Sequence, residues 1–225
     1  TPKPSSAASD VYKRQILEAN EKVKAKFHIC HVTTSKSVEM LNGKASFGVT
    51  LHHLFFSYEN KFKYEAMGKV NPPLRSGEER KKLFEKFMEG KIPILESDHA
   101  PHSMEEKEDF ETAPSGMPGV DVLLPLMLYM AKRGKVKLDL ICNMLGKNPA
   151  KFFGINKGAI EVGKEADLIV VDFSKVSGIK ALSKCGWSAY EGMPCIYPLH
   201  VYLRGEKIVE NGEFIGNAGE GKMIV

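Results

Sequence analysis

From Ile16 onward the chain alternates stretches of helical periodicity with short runs of β-branched and aliphatic residues. The pattern predicts helix to about Ala25, strand from Lys26 to Val32, helix from Ser35 to Leu41 and strand from Ala45 to Leu51. Ser76 to Gly90 is the clearest helix: Ser76-x-x-Glu79 spells a capping box, Leu83, Phe84 and Phe87 form one apolar stripe, and Gly90 can end it. Its Lys/Arg/Glu surface is a solvated face. Ile92 to Ser97 then reads as a buried strand that opens directly into Asp98. Helices follow at Val120 to Lys132 and Leu138 to Leu145, and a third starts at Asn148, with Pro149 in its first turn and Gly154 past its end. Such β/α alternation predicts an α/β fold with parallel strands.

The character changes after Gly154. Residues 158–173 carry β-branched runs split by Gly163, and His200 to Ile215 reads as strand, turn at Arg204-Gly205, strand, turn at Asn211-Gly212, strand. This predicts a small antiparallel β-module. The first fifteen residues, TPKPSSAASDVYKRQ, are Pro/Ser/Ala-rich without apolar period, and SSAASDVYKRQ is similar to translated sequencing-adapter read-through. The expected organisation is a non-native or disordered leader at 1–15, an α/β unit at 16–156 and a β-sandwich module at 157–225.

Hydrophobic residues make up 43% of the 225 positions and charged ones 27%, ordinary values for a packed domain. The best membrane-span candidate, Val120 to Ala131, is short and interrupted by Pro125. A net charge of +4 without a clustered basic stripe or aromatic-basic motif argues against nucleic acid. Cys30, Cys142, Cys185 and Cys195 form no C-x-x-C pair, so neither a disulfide framework nor a thiolate zinc site is suggested, and a cytoplasmic location is expected.

Histidine is the informative residue. All but one of the seven fall in His28-Ile-Cys-His31, His52-His53 and Asp98-His99-Ala-Pro-His102, each at the end of a predicted strand. In parallel β/α architectures those ends carry the active site, so three of them argue for one polar mouth suited to a metal. Strand alternation lets only some of the Phe27–Val32 side chains share a face, and His31 is the better ligand candidate. Taken alone, a strand histidine is more often a hydrogen-bonded core residue. Asp98 resists that reading, because a carboxylate directly after an apolar strand must be paired, capping or metal-bound.

Cys30-His-Val-Thr-Thr34, Val49-Thr-Leu-His-His53, Val70-Asn-Pro-Pro-Leu-Arg-Ser76 and Ser97-Asp-His-Ala-Pro-His102 resemble, in order and spacing, the motifs of dihydroorotases in the cyclic-amidohydrolase superfamily. Gly163-Lys-Glu-Ala-Asp-Leu168 resembles the superfamily's C-terminal module. The likeness spans Ile16 to Val225 and implies a metal-dependent (β/α)8 amidohydrolase barrel of which this chain supplies the last three β/α units. A complete barrel takes about 250 residues, and the family's His-x-His pair and bridging lysine or aspartate have no counterpart here. The chain alone is therefore expected to be inactive.

By the same resemblance His31 is a zinc ligand, and Asp98 is both zinc ligand and proton shuttle. Asn71 and His102 would bind substrate with the backbone at Ser115-Gly116. Zinc, singly or as a pair about 3.5–4 Å apart, would acidify water and polarise an amide carbonyl. The implied reaction interconverts N-carbamoyl-L-aspartate and dihydroorotate, with a homo-oligomer or a transcarbamoylase as possible partner. Gly48 stands where many relatives carry an acidic residue, and Leu51 where they usually carry Pro. Plainer roles are expected elsewhere: His99 orients a neighbour, His52 and His53 support the mouth, and Arg75 fixes the Asn71–Arg75 loop. Met127, Met130 and Met144 belong to core stripes, and Trp187 packs in the β-module. Two other readings stand beside this one: an allantoinase or dihydropyrimidinase, and a non-catalytic dihydroorotase-like subunit.

Overall fold

The computed structural model describes residues 6–223. The chain divides into two compact units, one running to Leu123 and including Ala181–Ala189, the other comprising Leu124–Lys180 and the chain from Tyr190 onward.

The first unit is built on three parallel strands in the order β1 (His28–Ile29), β2 (Ser46–Thr50) and β3 (Ile94–Glu96). His28 lies opposite Ser46, and Gly48 and Thr50 lie opposite Ile94 and Glu96. Helix α1 covers Ser6–Val23, and α2 (Ser35–Leu41) carries the chain from β1 to β2. Helices α3 (Leu51–Phe55) and α4 (Gly77–Met88) lead on toward β3. Phe47, Val49, Leu54, Leu83, Phe87 and Leu95 are buried together with Val38 and Leu41. That is the apolar stripe of α4 and the inner strand residues meeting as their periodicity predicts.

Three local expectations change. From Ser6 the leader is helical rather than disordered: Ala, Lys, Arg and Gln within 6–15 favour helix, and Asp10 is only 6% exposed. The Asp10 carboxylate accepts hydrogen bonds from Ser37 Oγ at 2.5 Å and Thr34 Oγ1 at 3.4 Å, joining α1 to the start of α2. The capping box at α4 is half made: Ser76 Oγ accepts from Glu79 N, but the Glu79 carboxylate turns to the Ser35 amide and hydroxyl instead. The strands are shorter than 26–32, 45–51 and 92–97. The chain leaves β1 where His31 turns to φ +41°, and Thr50 caps α3 so that His52 and His53 are helical.

In the second unit, α5 (Val120–Lys132), which begins in the first, is followed by one helical rod. It comprises α6 (Leu138–Cys142), a π-helical stretch at Asn143–Lys147 and α7 (Asn148–Phe153). The expected break before Asn148 is absent, and Gly154 at φ +73° ends the rod as read. Met127 and Met144 are buried as expected. Strands β4 (Leu168–Val170), β7 (His200–Leu203), β8 (Glu206–Glu210) and β9 (Glu213–Phe214) form an antiparallel sheet in that order, while β5 (Ser177–Gly178) pairs with β6 (Pro194–Cys195). Both predicted two-residue turns are present, with positive φ at Arg204, Gly205, Asn211 and Gly212. This compact unit takes in α6 and α7 as well as the antiparallel strands, whereas Ala181–Ala189 groups with the parallel strands. No helix among the described residues is long and apolar enough to cross a membrane.

Candidate active site

The two sequence-proposed metal ligands share an unusual backbone state. His31 follows β1 and Asp98 follows β3, and both are left-handed, at φ +41° and +43°. His and Asp visit this region more readily than most residues, yet each such conformation costs about 1–3 kcal/mol unless its surroundings enforce it. After the kink at His31 the chain returns to the sheet, with Val32 N donating to Gly48 O at 2.8 Å. Both side chains are thus delivered at the C-terminal ends of parallel strands.

His52 completes this corner from α3. Its side chain is 2% exposed, its Nε2 lies 3.8 Å from Asp98 Oδ2, and that nitrogen is buried without a hydrogen-bond partner among the described residues. Burial, with the His31 charge second, pushes its pKa down to about 3, so the imidazole is neutral at ordinary pH. His53 is fully engaged: Nε2 meets Pro72 O at 2.9 Å and must donate there, so Nδ1 accepts from Thr50 Oγ1 at 2.7 Å. Burial also holds the His53 pKa well below its usual value. The His52 nitrogen and the Asp98 carboxylate, 3.8 Å apart, are donors of the kind a divalent cation takes, whereas His31, at the end of β1, does not join them in a group of ligand atoms within 4.8 Å of one another.

Beneath His31 lies a second polar group that sequence reasoning missed. Glu96 Oε1 lies 2.7 Å from His28 Nε2, and Oε2 accepts from the His31 amide at 2.7 Å. Ser46 Oγ holds the other His28 nitrogen at 2.7 Å. Ligand atoms of His28, Cys30 and Glu96 lie within 4.8 Å of one another. Burial first, and then the charges of Glu96 and Asp98, push the Cys30 thiol pKa up, which disfavours the thiolate. A carboxylate inside the apolar run Ile92–Leu95 and its Ser97 edge was the available signal for Glu96.

The proposed substrate residues sit on three loops that the backbone draws together. Asn71 is exposed on the loop that His53 anchors at Pro72. Gly116 N donates to Lys69 O at 2.9 Å, and Ala100 N donates to Met117 O at 3.2 Å. A Cβ on Gly116, which has φ +143°, would stand 2.6 Å from Ala100 and 3.3 Å from the His102 ring. Only glycine permits that approach. Ser115 beside it is exposed, and His102 Nδ1 lies 3.7 Å from Glu106 Oε2. Lys107 ties the same loops from below, donating to Pro114 O at 2.7 Å and Lys69 O at 3.4 Å, and burial lowers its pKa to about 8. Nothing in the Glu105–Asp109 sequence advertised that role.

The supporting residues follow their expected roles with one exception. His99 Nδ1 accepts from Gly119 N and Val120 N at the start of α5, so it orients a neighbour. Arg75 Nε donates to Thr33 Oγ1 at 2.9 Å, tying its loop to the segment after His31. Trp187, expected in the β-module, is instead buried in the first unit, where its indole N–H donates to His102 O at 2.7 Å. The indole found a carbonyl that a local reading of its neighbours does not reveal.

Parallel β/α units that bring His and Asp to the C-terminal strand ends have the arrangement of one side of a β/α-barrel's active face. The chain belongs to the amidohydrolase family, whose profile matches residues 10–206, and members of this family are generally metal-dependent. It is 41% identical to the dihydroorotase of Archaeoglobus fulgidus over 85% of this chain and 48% of that protein. It is 37% identical to the dihydroorotase of Methanosarcina acetivorans over 92% and 49%. Among solved structures it is similar to an L-hydantoinase (dihydropyrimidinase) from Arthrobacter aurescens, with a TM-score of 0.85 and 27% identity, covering 92% of this chain and 50% of that one. An inactive dihydroorotase-like domain of a Chaetomium thermophilum multifunctional protein shares the fold, with a TM-score of 0.66 and 17% identity over 89% of this chain and 56% of that one. The chain spans about half the length of the curated relatives it matches.

Proposed function

We propose that this chain supplies one side of the active site of a dihydroorotase, which interconverts N-carbamoyl-L-aspartate and dihydroorotate in the cytoplasm. The observation that carries this reading is the left-handed pair His31 and Asp98 beside the orphaned His52 Nε2. His31 and Asp98 would hold zinc, one or two ions per site with ligands from the rest of the barrel. The metal would supply Lewis-acid polarisation of the ring amide and a water made nucleophilic near neutral pH. Ring opening adds water across the amide C–N bond, and Asp98 takes the proton from that water and returns it to the leaving nitrogen. His52 beside Asp98 is held neutral at ordinary pH by its burial, and its lowered pKa makes it a weaker base than an ordinary imidazole. Asn71 and His102 offer donors to the substrate carboxylate, and the Ser115–Gly116 backbone, its Gly116 N–H held by Lys69 O, lines the pocket.

The test joins this chain to the remaining half of the Archaeoglobus fulgidus dihydroorotase and follows cyclisation of N-carbamoyl-L-aspartate with zinc. Turnover that disappears in Asp98→Ala is expected, with none from the 225-residue chain alone. Turnover that survives Asp98→Ala overturns the assignment. Preference for dihydrouracil, hydantoin or allantoin would move the reading to another cyclic amidohydrolase. A joined protein that takes up zinc but turns over none of these would favour a non-catalytic subunit, to be sought with a second copy or a transcarbamoylase by size exclusion.

A further inference from the structure

Glu96 makes an unusual span. It belongs to β3, yet its carboxylate reaches β1, two strands away in the order β1-β2-β3. The crossing runs over Gly48 of β2, where an added Cβ would lie 2.2 Å from Glu96 Cδ and Oε1. Gly48 has a negative φ, so backbone freedom does not explain glycine there; the room taken by Glu96 does. The carboxylate ends on the main-chain N–H of His31, the residue held at φ +41°, and on the His28 ring that Ser46 orients. A charge-assisted bond to an amide is roughly twice as strong as a neutral one. It therefore opposes relaxation of His31 to an ordinary backbone conformation.

We propose that Glu96 is a positioning residue, whose carboxylate clamps the His31 peptide in its left-handed conformation and thereby sets the direction of the His31 imidazole. The importance of that direction rests on the reading of His31 as a metal ligand given above. The clamp makes a further demand: position 48 must stay without a side chain while position 96 is acidic or its amide isostere. Glutamine satisfies the geometry, because its oxygen can accept from His31 N while its NH2 donates to His28 in the other tautomer.

Two readouts on the 15N-labelled 225-residue chain test this: hydrogen-exchange protection of the His31 amide, and Co2+ affinity by absorption titration. Glu96→Ala is expected to cut His31 protection at least about tenfold and Co2+ affinity about 10–100-fold, as for loss of a ligand's supporting partner. Glu96→Gln should keep both within roughly threefold of the parent, since the supporting contacts persist. Gly48→Ala should reproduce Glu96→Ala by displacing the side chain, and add little when combined with it. Unchanged His31 protection in Glu96→Ala overturns the clamp. So does a Glu96→Gln protein that loses Co2+ as completely as Glu96→Ala together with a thiolate-to-cobalt band, which would make Glu96 a ligand with His28 and Cys30. If Glu96→Ala does not fold, rescue by Gln and loss of protection in Gly48→Ala decide the matter. A parent chain that takes up no Co2+ while its His31 amide responds to these variants counts against the metal reading and leaves the clamp standing.

Discussion

In the first unit the strands run parallel, and every candidate ligand and substrate residue lies on a segment that leaves a strand's C-terminal end or on a loop bonded to one. In the second unit the strands run antiparallel through tight turns, and none of the candidate residues is there. Parallel connections need long crossovers, and His31 and Asn71 are mounted on them, while His102 and Gly116 lie on the long segment that leaves β3. In the antiparallel sheet β7, β8 and β9 are joined by two-residue turns at Arg204-Gly205 and Asn211-Gly212, which leave little backbone free to build a site. The units also differ in side-chain burial: Phe47 and Phe87 are sealed, whereas Phe214 on β9 is 68% exposed and Ile169 on β4 is 44% exposed.

This contrast is open to direct attack, beginning where the largest change is expected. Asp98→Asn should weaken Co2+ binding at least about 100-fold, more than loss of a supporting contact does. It should barely move the thermal midpoint, because Asn tolerates the left-handed backbone. A titration and a melt on the same samples check both halves. Trp187→Ala should cost about 3–5 kcal/mol in denaturant unfolding, since the indole is 1% exposed and its N–H bond to His102 O is lost as well. A cost below about 1 kcal/mol would mean that its burial contributes little.

A third experiment uses pH. His52 and His53 have folded pKa values below the ordinary 6.5, so the unfolded chain binds protons there that the folded chain does not. Their contribution is therefore in place above about pH 6.5 and is lost as pH falls, for His52 down to about 3. Urea midpoints between pH 7 and 4 should decline, and His53→Gln should flatten the decline by removing one group. An equal slope in that variant would locate the acid sensitivity elsewhere. The smallest effect belongs to the second unit: Phe214→Ala should stay within about 0.5 kcal/mol in the same unfolding assay, and a larger loss would show that the β9 edge is more than backbone ladder.

Much of the first unit was legible because its signals are local. The Ser76 cap, the Leu83/Phe87 stripe and the strand before Asp98 each depend on neighbours within a few residues. The same holds for the turns at Gly205 and Gly212. What escaped depended on partners far along the chain. Asp10 looked like part of a leader until Thr34 and Ser37 supplied its hydrogen bonds. Trp187 looked like module packing until His102 supplied a carbonyl. The departure at Gly48 carried no reading of its own until Glu96 was seen to occupy its space.

By itself, then, the sequence determined the alternation of elements, the turns, and which residue types stand at the strand ends, because periodicity and capping act over one or two turns of chain. Only the tertiary structure decided the left-handed backbone of His31 and Asp98, the orphaned nitrogen of His52 and the reach of Glu96 across β2. Those features exist only when strands distant in sequence lie side by side, where the filling of space and the pairing of buried polar groups act between segments that no local pattern connects.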